Sequence, residues 1–167
     1  MRGAKHRAPR EQGNKMTTDL NQRQHGTRPP AAPPPVRKYL VLSVEDDPSD
    51  SALISELVSR RADLTLLSAT HGGAAVKLAR AHRPALNLMD INLPGLSGID
   101  ALGFLRDDPN TAGIPVIGLS SDRFDCAVDM CLSGFFGYLS KPFKLDDFEC
   151  MVDAALVQSA RGPTRAN

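Results

Sequence analysis

From Lys38 onward, five short apolar runs alternate with stretches whose apolar residues recur at helical spacing, and this alternation leaves the chain few architectures to choose from. Tyr39 to Val44, Leu64 to Ala69, Ala85 to Met89, Ile114 to Leu119 and Phe136 to Leu139 read as strands. They are too continuously apolar to keep one face in water, so each is expected to be buried on both sides. Pro48 opens a first helix carrying Ala52, Leu53, Leu57 and Val58, and a glycine-started helix follows with Ala75, Val76 and Ala79 on its packing face. Ile99, Leu102 and Leu105 mark a third helix, which ends at a break from Asp107 to Gly113. Phe124, Ala127, Val128 and Cys131 suggest a fourth, and Leu145, Phe148, Met151, Val152, Ala155 and Leu156 trace the last. Doubly buried strands joined by helical crossovers imply an α/β fold: a five-stranded parallel sheet, doubly wound, in a single domain. Strand order 2-1-3-4-5 would set the ends of strands one and three side by side.

Charge is unevenly spread. The formal net charge is +1, yet residues 1–37 hold eight Lys/Arg against two acids, whereas residues 38–157 hold ten against seventeen. The folded part is therefore acidic, and direct nucleic-acid binding is not expected. Residues 1–37 are polar and basic and end in a proline cluster, so a disordered tail with a short extended spacer is expected. A passive leader is the favoured reading of this tail, and Met16 offers a later start. Residues 158–167 are expected to be a flexible C-terminal tail. No apolar run resembles a signal peptide or a membrane span, so a soluble cytoplasmic protein with no membrane attachment is expected. Cys126, Cys131 and Cys150 lack paired metal-ligand spacing and read as packing residues.

Chemistry gathers at the carboxyl ends of the strands. The first strand runs into Glu45, Asp46 and Asp47, the third into Asp90, the fourth into Ser120 and Ser121, and the fifth into Lys141. Crowded carboxylates in a partly desolvated crevice repel one another and require a positive group. Oxygen donors without a Cys/His cluster favour Mg²⁺ over zinc or copper. In the expected shell Asp46 and Asp90 ligate directly, the backbone carbonyl of Asn92 completes the protein side, and Glu45 acts mainly through water. Asp90 lies centrally and is the candidate nucleophile, because an ionised carboxylate needs no separate general base. Lys141 and the ion would offset the repulsion between attacking carboxylate and phosphoryl group, and Ser120 or Ser121 would hydrogen-bond to that group, with strand alternation favouring Ser120.

Each residue also has an ordinary role to offer. A strand-end Asp is usually a turn or helix cap, Glu45 to Asp47 could be helix-start acids, a lone lysine is usually solvated, and Tyr138 could be a strand aromatic with its phenol in water. Acids ending strands one and three, a hydroxyl ending strand four and a lysine ending strand five make a conjunction those roles do not explain. The segments VLSVEDDP, LMDINLPGLSG, IPVIGLSS and GYLSKPF, within about Lys38 to Val157, closely resemble the receiver domain of two-component response regulators. The resemblance implies a CheY-like, flavodoxin-like fold that accepts phosphate from a phosphohistidine on a sensor histidine kinase or a histidine phosphotransfer protein. Carried across position by position, Glu45 and Asp46 are the acidic metal pair, Asp90 the phosphoacceptor, Ser120 the switch hydroxyl, Tyr138 the switch aromatic and Lys141 the lysine, in a Lys-Pro pair that is commonly cis in the family. Asn92 and Asp122, two residues beyond the acceptor and the switch hydroxyl, are implied to tune hydrolysis. Asn87 departs from the usual aliphatic residue and needs a hydrogen-bond partner if buried. Phe135 and Phe136 replace the commoner small and acidic residues before strand five.

The implied function is a single-domain response regulator that signals by phosphorylation-dependent docking to a downstream protein target or by passing phosphate onward. It would be a monomer or weak homodimer, with no catalysis beyond Mg²⁺-dependent self-phosphorylation and autodephosphorylation. About ten residues follow the last helix, too few for an output domain. A haloacid-dehalogenase-like hydrolase would want a DxD pair where Asn92 stands. The same fold could also serve a phosphorylation-independent binding module or a flavin carrier, the latter disfavoured by an acidic first loop.

Overall fold

The computed structural model describes residues 37–121 and 134–161. Its strands are β1 (Tyr39–Val44), β2 (Leu64–Ala69), β3 (Leu86–Asp90), β4 (Val116–Ser120) and β5 (Gly137–Ser140). The helices are α1 (Pro48–Ser59), α2 (Gly72–His82), α3 (Gly98–Arg106) and α4 (Leu145–Arg161). All the strand pairs are parallel and the sheet order is β2-β1-β3-β4-β5, the doubly wound order read from the sequence.

Alternate residues of each strand feed two separate cores, as the two-residue period of a strand requires. Val41, Leu86, Leu88, Ile117, Leu119 and Leu139 pack with α1 and α4 through Ile54, Leu57, Val58, Phe148, Val152 and Leu156. Leu42, Val44, Met89 and Val116 pack on the other face with Ala75, Val76 and Ala79 of α2 and Ala101, Leu102 and Leu105 of α3. Pro48 occupies the first turn of α1, and the Asp47 side chain caps it by accepting from the backbone N–H groups of Ser49 and Asp50.

Several expectations need correction. Ala52 and Leu53 face solvent, and α1 is anchored instead by Ile54, one position further on. Ile99 is likewise half exposed, because the buried stripe of α3 is Ala101, Leu102 and Leu105. Strands three to five begin and end one or two residues later than the apolar runs suggest. At β4 the cause is local: Ile114 closes a turn through its N–H to Thr111 O, and Pro115 has no N–H to give a ladder. The last turn of α4 extends through residues 158–161, where the sequence suggested a flexible tail. The expected helix on Phe124, Ala127, Val128 and Cys131, together with Cys126, Asp122, residues 1–36 and residues 162–167, lies outside the described residues.

Candidate phosphoacceptor site

The carboxyl edge of the sheet brings β1 and β3 together, since Val44 pairs with Met89 and each strand ends beside the other. Glu45 is held by its N–H to Ala69 O at 3.0 Å and is almost wholly buried, whereas Asp46, the next residue, is exposed. Asp90 is still within the ladder, opposite Leu119, and is 5% exposed. The tight approach of α3 fixes its backbone: Gly98 donates to Ile91 O at 3.0 Å, and a Cβ on Gly98 would run into the Asp90 carbonyl oxygen. Asn92 N–H donates to Asp90 Oδ1 at 2.7 Å, orienting the carboxylate from the loop that follows it.

Lys141 reaches into this group from the end of β5. Its ammonium donates to Asp90 Oδ2 at 2.5 Å and to Glu45 Oε2 at 2.7 Å, and lies 2.9 Å from Asp50 Oδ2. Its backbone N–H donates to Ser120 O at 2.7 Å, which ties the ends of β4 and β5 together, and the Lys141–Pro142 peptide is cis. Burial disfavours the ammonium, but the bonds to Asp90, Glu45 and Asp50 outweigh it and hold its pKa above the ordinary lysine value. Burial pushes the Glu45 carboxyl up, against the opposing hydrogen bond from Lys141. Asp50 was not anticipated from the sequence. It sits one turn into α1, where the proline start and the Asp47 cap aim it at the strand ends, and that spacing was the available signal.

Glu45, Asp46 and Asp90 offer carboxylate oxygens that all lie within 4.8 Å of one another. These are hard donors with no sulfur or imidazole among them, and Lys141 offsets part of their charge, so the donor set fits a divalent cation of the Mg²⁺ type. Ser120 ends β4 one residue past the position opposite Asp90 and is buried. Tyr138 stands on β5 opposite Gly118 of β4, with its ring 4.9 Å from that of Phe135. Six of the sequence-derived positions, Glu45, Asp46, Asp90, Asn92, Ser120 and Lys141, therefore gather at one edge, and Tyr138 lies three residues before Lys141, within β5. Asp122 is outside the described residues. Asn87 is fully buried, and neither of its amide atoms has a hydrogen-bond partner among the described residues.

A doubly wound α/β sheet with a lysine seated on a strand-end aspartate beside an acid pair is the arrangement that the sequence resemblance implies for a receiver domain. Residues 41–153 match the family described as the response regulator receiver domain, and the chain belongs to that family. It is 34% identical over 109 residues to the polar-differentiation response regulator DivK of Brucella anthropi, covering 65% of this chain and 88% of DivK. To the protein PilH of Pseudomonas aeruginosa it is 32% identical, covering 70% of this chain and 96% of PilH. The nitrate/nitrite response regulator NarL of Escherichia coli is 31% identical, and the match covers 73% of this chain but only 55% of NarL. Among solved structures, the receiver domain of the sensor histidine kinase PA1611 from Pseudomonas aeruginosa aligns with a TM-score of 0.66 and 27% identity over 72% of this chain and 98% of that one. That structure has a magnesium ion coordinated in its active-site cleft. Among the described residues no helix is long and apolar enough to cross a membrane.

Proposed function

We propose that Asp90 accepts a phosphoryl group from a phosphohistidine of a sensor histidine kinase or a histidine phosphotransfer protein. The observation that carries this reading is the contact of the Lys141 ammonium with both Asp90 Oδ2 and Glu45 Oε2, which places a fixed cation beside a carboxylate that is otherwise among acids. An Asp90 oxygen forms the bond to phosphorus as the phosphorus–nitrogen bond breaks, and the departing imidazole nitrogen keeps that electron pair. Lys141 draws negative charge from the phosphoryl oxygens, and the Ser120 hydroxyl donates to one of them. Asp46, Asp90 and the backbone carbonyl of Asn92 would hold Mg²⁺, with Glu45 assisting through water. When bound, the ion supplies charge neutralisation between the incoming phosphoryl oxygens and the acid cluster.

The phosphoryl group adds about −1.5 to −2 charges and three acceptors at the junction of β3 and β4. Ser120 converts that change into a surface preferred by a downstream protein, with Tyr138 on the neighbouring strand forming part of that surface, or the phosphate is passed onward, with Asn92 and Asp122 setting how fast water removes it. The matches cover 88% of DivK and 96% of PilH, which supports a receiver spanning about residues 38–157 that acts without an attached output domain, and we propose that it works in the cytoplasm as a monomer or weak homodimer. Acetyl phosphate with Mg²⁺ and intact-mass measurement test the reading. One phosphoryl adduct, lost in Asp90→Ala, is expected. Turnover of varied phosphate esters would favour the hydrolase, and no adduct at all would favour a passive module.

A further inference from the structure

Tyr138 and Gly118 are direct partners in the β4–β5 ladder, so their substituents leave the sheet on the same face. A Cβ on Gly118 would lie 2.6 Å from Cδ1 and 2.7 Å from Cε1 of the Tyr138 ring, and 3.3 Å from Cδ1 of Ile91. Carbon atoms settle at about 3.5–4.0 Å, so the ring occupies the volume that any side chain at position 118 would need. Phe135 closes the same space, tilted at 52° to the Tyr138 ring. Ile91, which walls it, directly follows Asp90, and its N–H donates to Leu119 O at 3.0 Å. Floor and wall are thus continuous with the two strands that carry Asp90 and Ser120.

We propose that Gly118 is a positioning residue that sets the resting place of Tyr138, seating its ring against β4 before any phosphoryl group reaches Asp90. In a switch of the kind the resemblance implies, a shift of Ser120 opens room for the ring. In this chain the missing side chain at position 118 already leaves that room. An equilibrium that starts on one side has little further to move in that direction, so Tyr138 contributes a standing surface feature more than a phosphorylation-gated one. The inference rests on the reading of Asp90 and Tyr138 given above, but its central claim concerns the resting state and can be tested without phosphate.

The chain has two tyrosines, so full-length protein carrying 3-fluorotyrosine gives two ¹⁹F signals, and Tyr39→Phe assigns that of Tyr138. With no phosphodonor, the Tyr138 signal is expected well away from that of free 3-fluorotyrosine, and Gly118→Ala should move it toward the free value. A signal at the free value in the unsubstituted chain, or one unmoved by Gly118→Ala, would overturn the proposal. If Gly118→Ala lowers the denaturation midpoint, adding Tyr138→Ala should recover most of the loss, because the colliding ring is gone. Strictly additive losses would show that the ring is not what the new methyl meets. Acetyl phosphate and Mg²⁺, followed by intact mass, form a separate arm. An adduct with the ¹⁹F signal nearly still supports the standing seat, and an adduct with a shift as large as that of Gly118→Ala overturns it. No adduct with the signal still away from the free value rejects the phosphoacceptor reading and supports the seat.

Discussion

The Lys141 ammonium and the Asp90 carboxylate, 51 positions apart in the chain, meet at 2.5 Å at the carboxyl edge of the sheet. Glu45 and Asp50 complete the acid ring around the same nitrogen, so one side chain from the end of β5 holds the ends of β1, α1 and β3 in register.

Replacing Lys141 by Met removes that nitrogen but keeps most of the side-chain bulk. The initial rate of phosphoryl uptake from acetyl phosphate is expected to fall by about 10²-fold or more, the scale seen when one preorganised charge-stabilising group is lost. Rapid-quench mass measurement checks this, and an unchanged rate would remove Lys141 from the proposed role.

Chelation of divalent ions should abolish uptake while leaving the fold intact, because neither hydrophobic core depends on the acid cluster. Conversely, Mg²⁺ at a hundredfold over its Kd should stabilise the chain by about 2.7 kcal/mol, seen as a rise of several degrees in Tm. The rise should disappear in a variant carrying both Asp46→Ala and Asp90→Ala.

We propose, as the family resemblance implies, that Asn92 and Asp122, both short polar residues, set how readily water attacks the phosphoaspartate. Its decay is expected within seconds to minutes, and Asp122→Lys should lengthen it by occluding or reorienting that water. Timed loss of the phosphoprotein mass decides the matter, and equal lifetimes would reject Asp122 as a tuning position.

Asn87 is the second residue of β3, between Leu42 and Val116, with no partner for its amide among the described residues. An unsatisfied buried polar group costs about 1–3 kcal/mol, so Asn87→Leu should stabilise the chain by an amount of that order. The denaturant midpoint should rise with an unchanged slope. A lower midpoint would mean that the amide is satisfied in solution.

Arg61 joins the start of β2 to α4, donating to Asp63 Oδ1 at 3.1 Å and Oδ2 at 2.8 Å and to Asp153 Oδ1 at 2.5 Å. Its hydrogen bonds hold the Asp63 carboxyl below the ordinary aspartate value. A depressed folded-state pKa means that the unfolded chain takes up the proton first. This contribution is therefore present above about pH 4 and is lost as the pH falls further. Asp63→Asn should show a shallower acid-side decline in stability than the unsubstituted chain, and identical slopes would discount the pair.

The strands could be read from the sequence because burial on both faces leaves a nearly unbroken apolar run, and the strand ends then located Asp90, Glu45 and Lys141 together. What could not be read depended on side-chain direction. Leu53 and Ile54 are equally apolar, and only packing against the sheet decides which is buried. Asp50 is one acid in the first turn of α1, and only the packing of that helix brings it to Lys141. Gly118 carried no local signal either, since its meaning lies in a tyrosine on the neighbouring strand.

Three consecutive acids at the β1–α1 junction carry three separate duties: Glu45 turns inward to Lys141, Asp46 stays at the open mouth and Asp47 caps the helix. Deleting or inserting a single residue there would rotate every carboxylate into its neighbour's task. The junction can therefore tolerate chemical drift at individual positions far more readily than any change in its length.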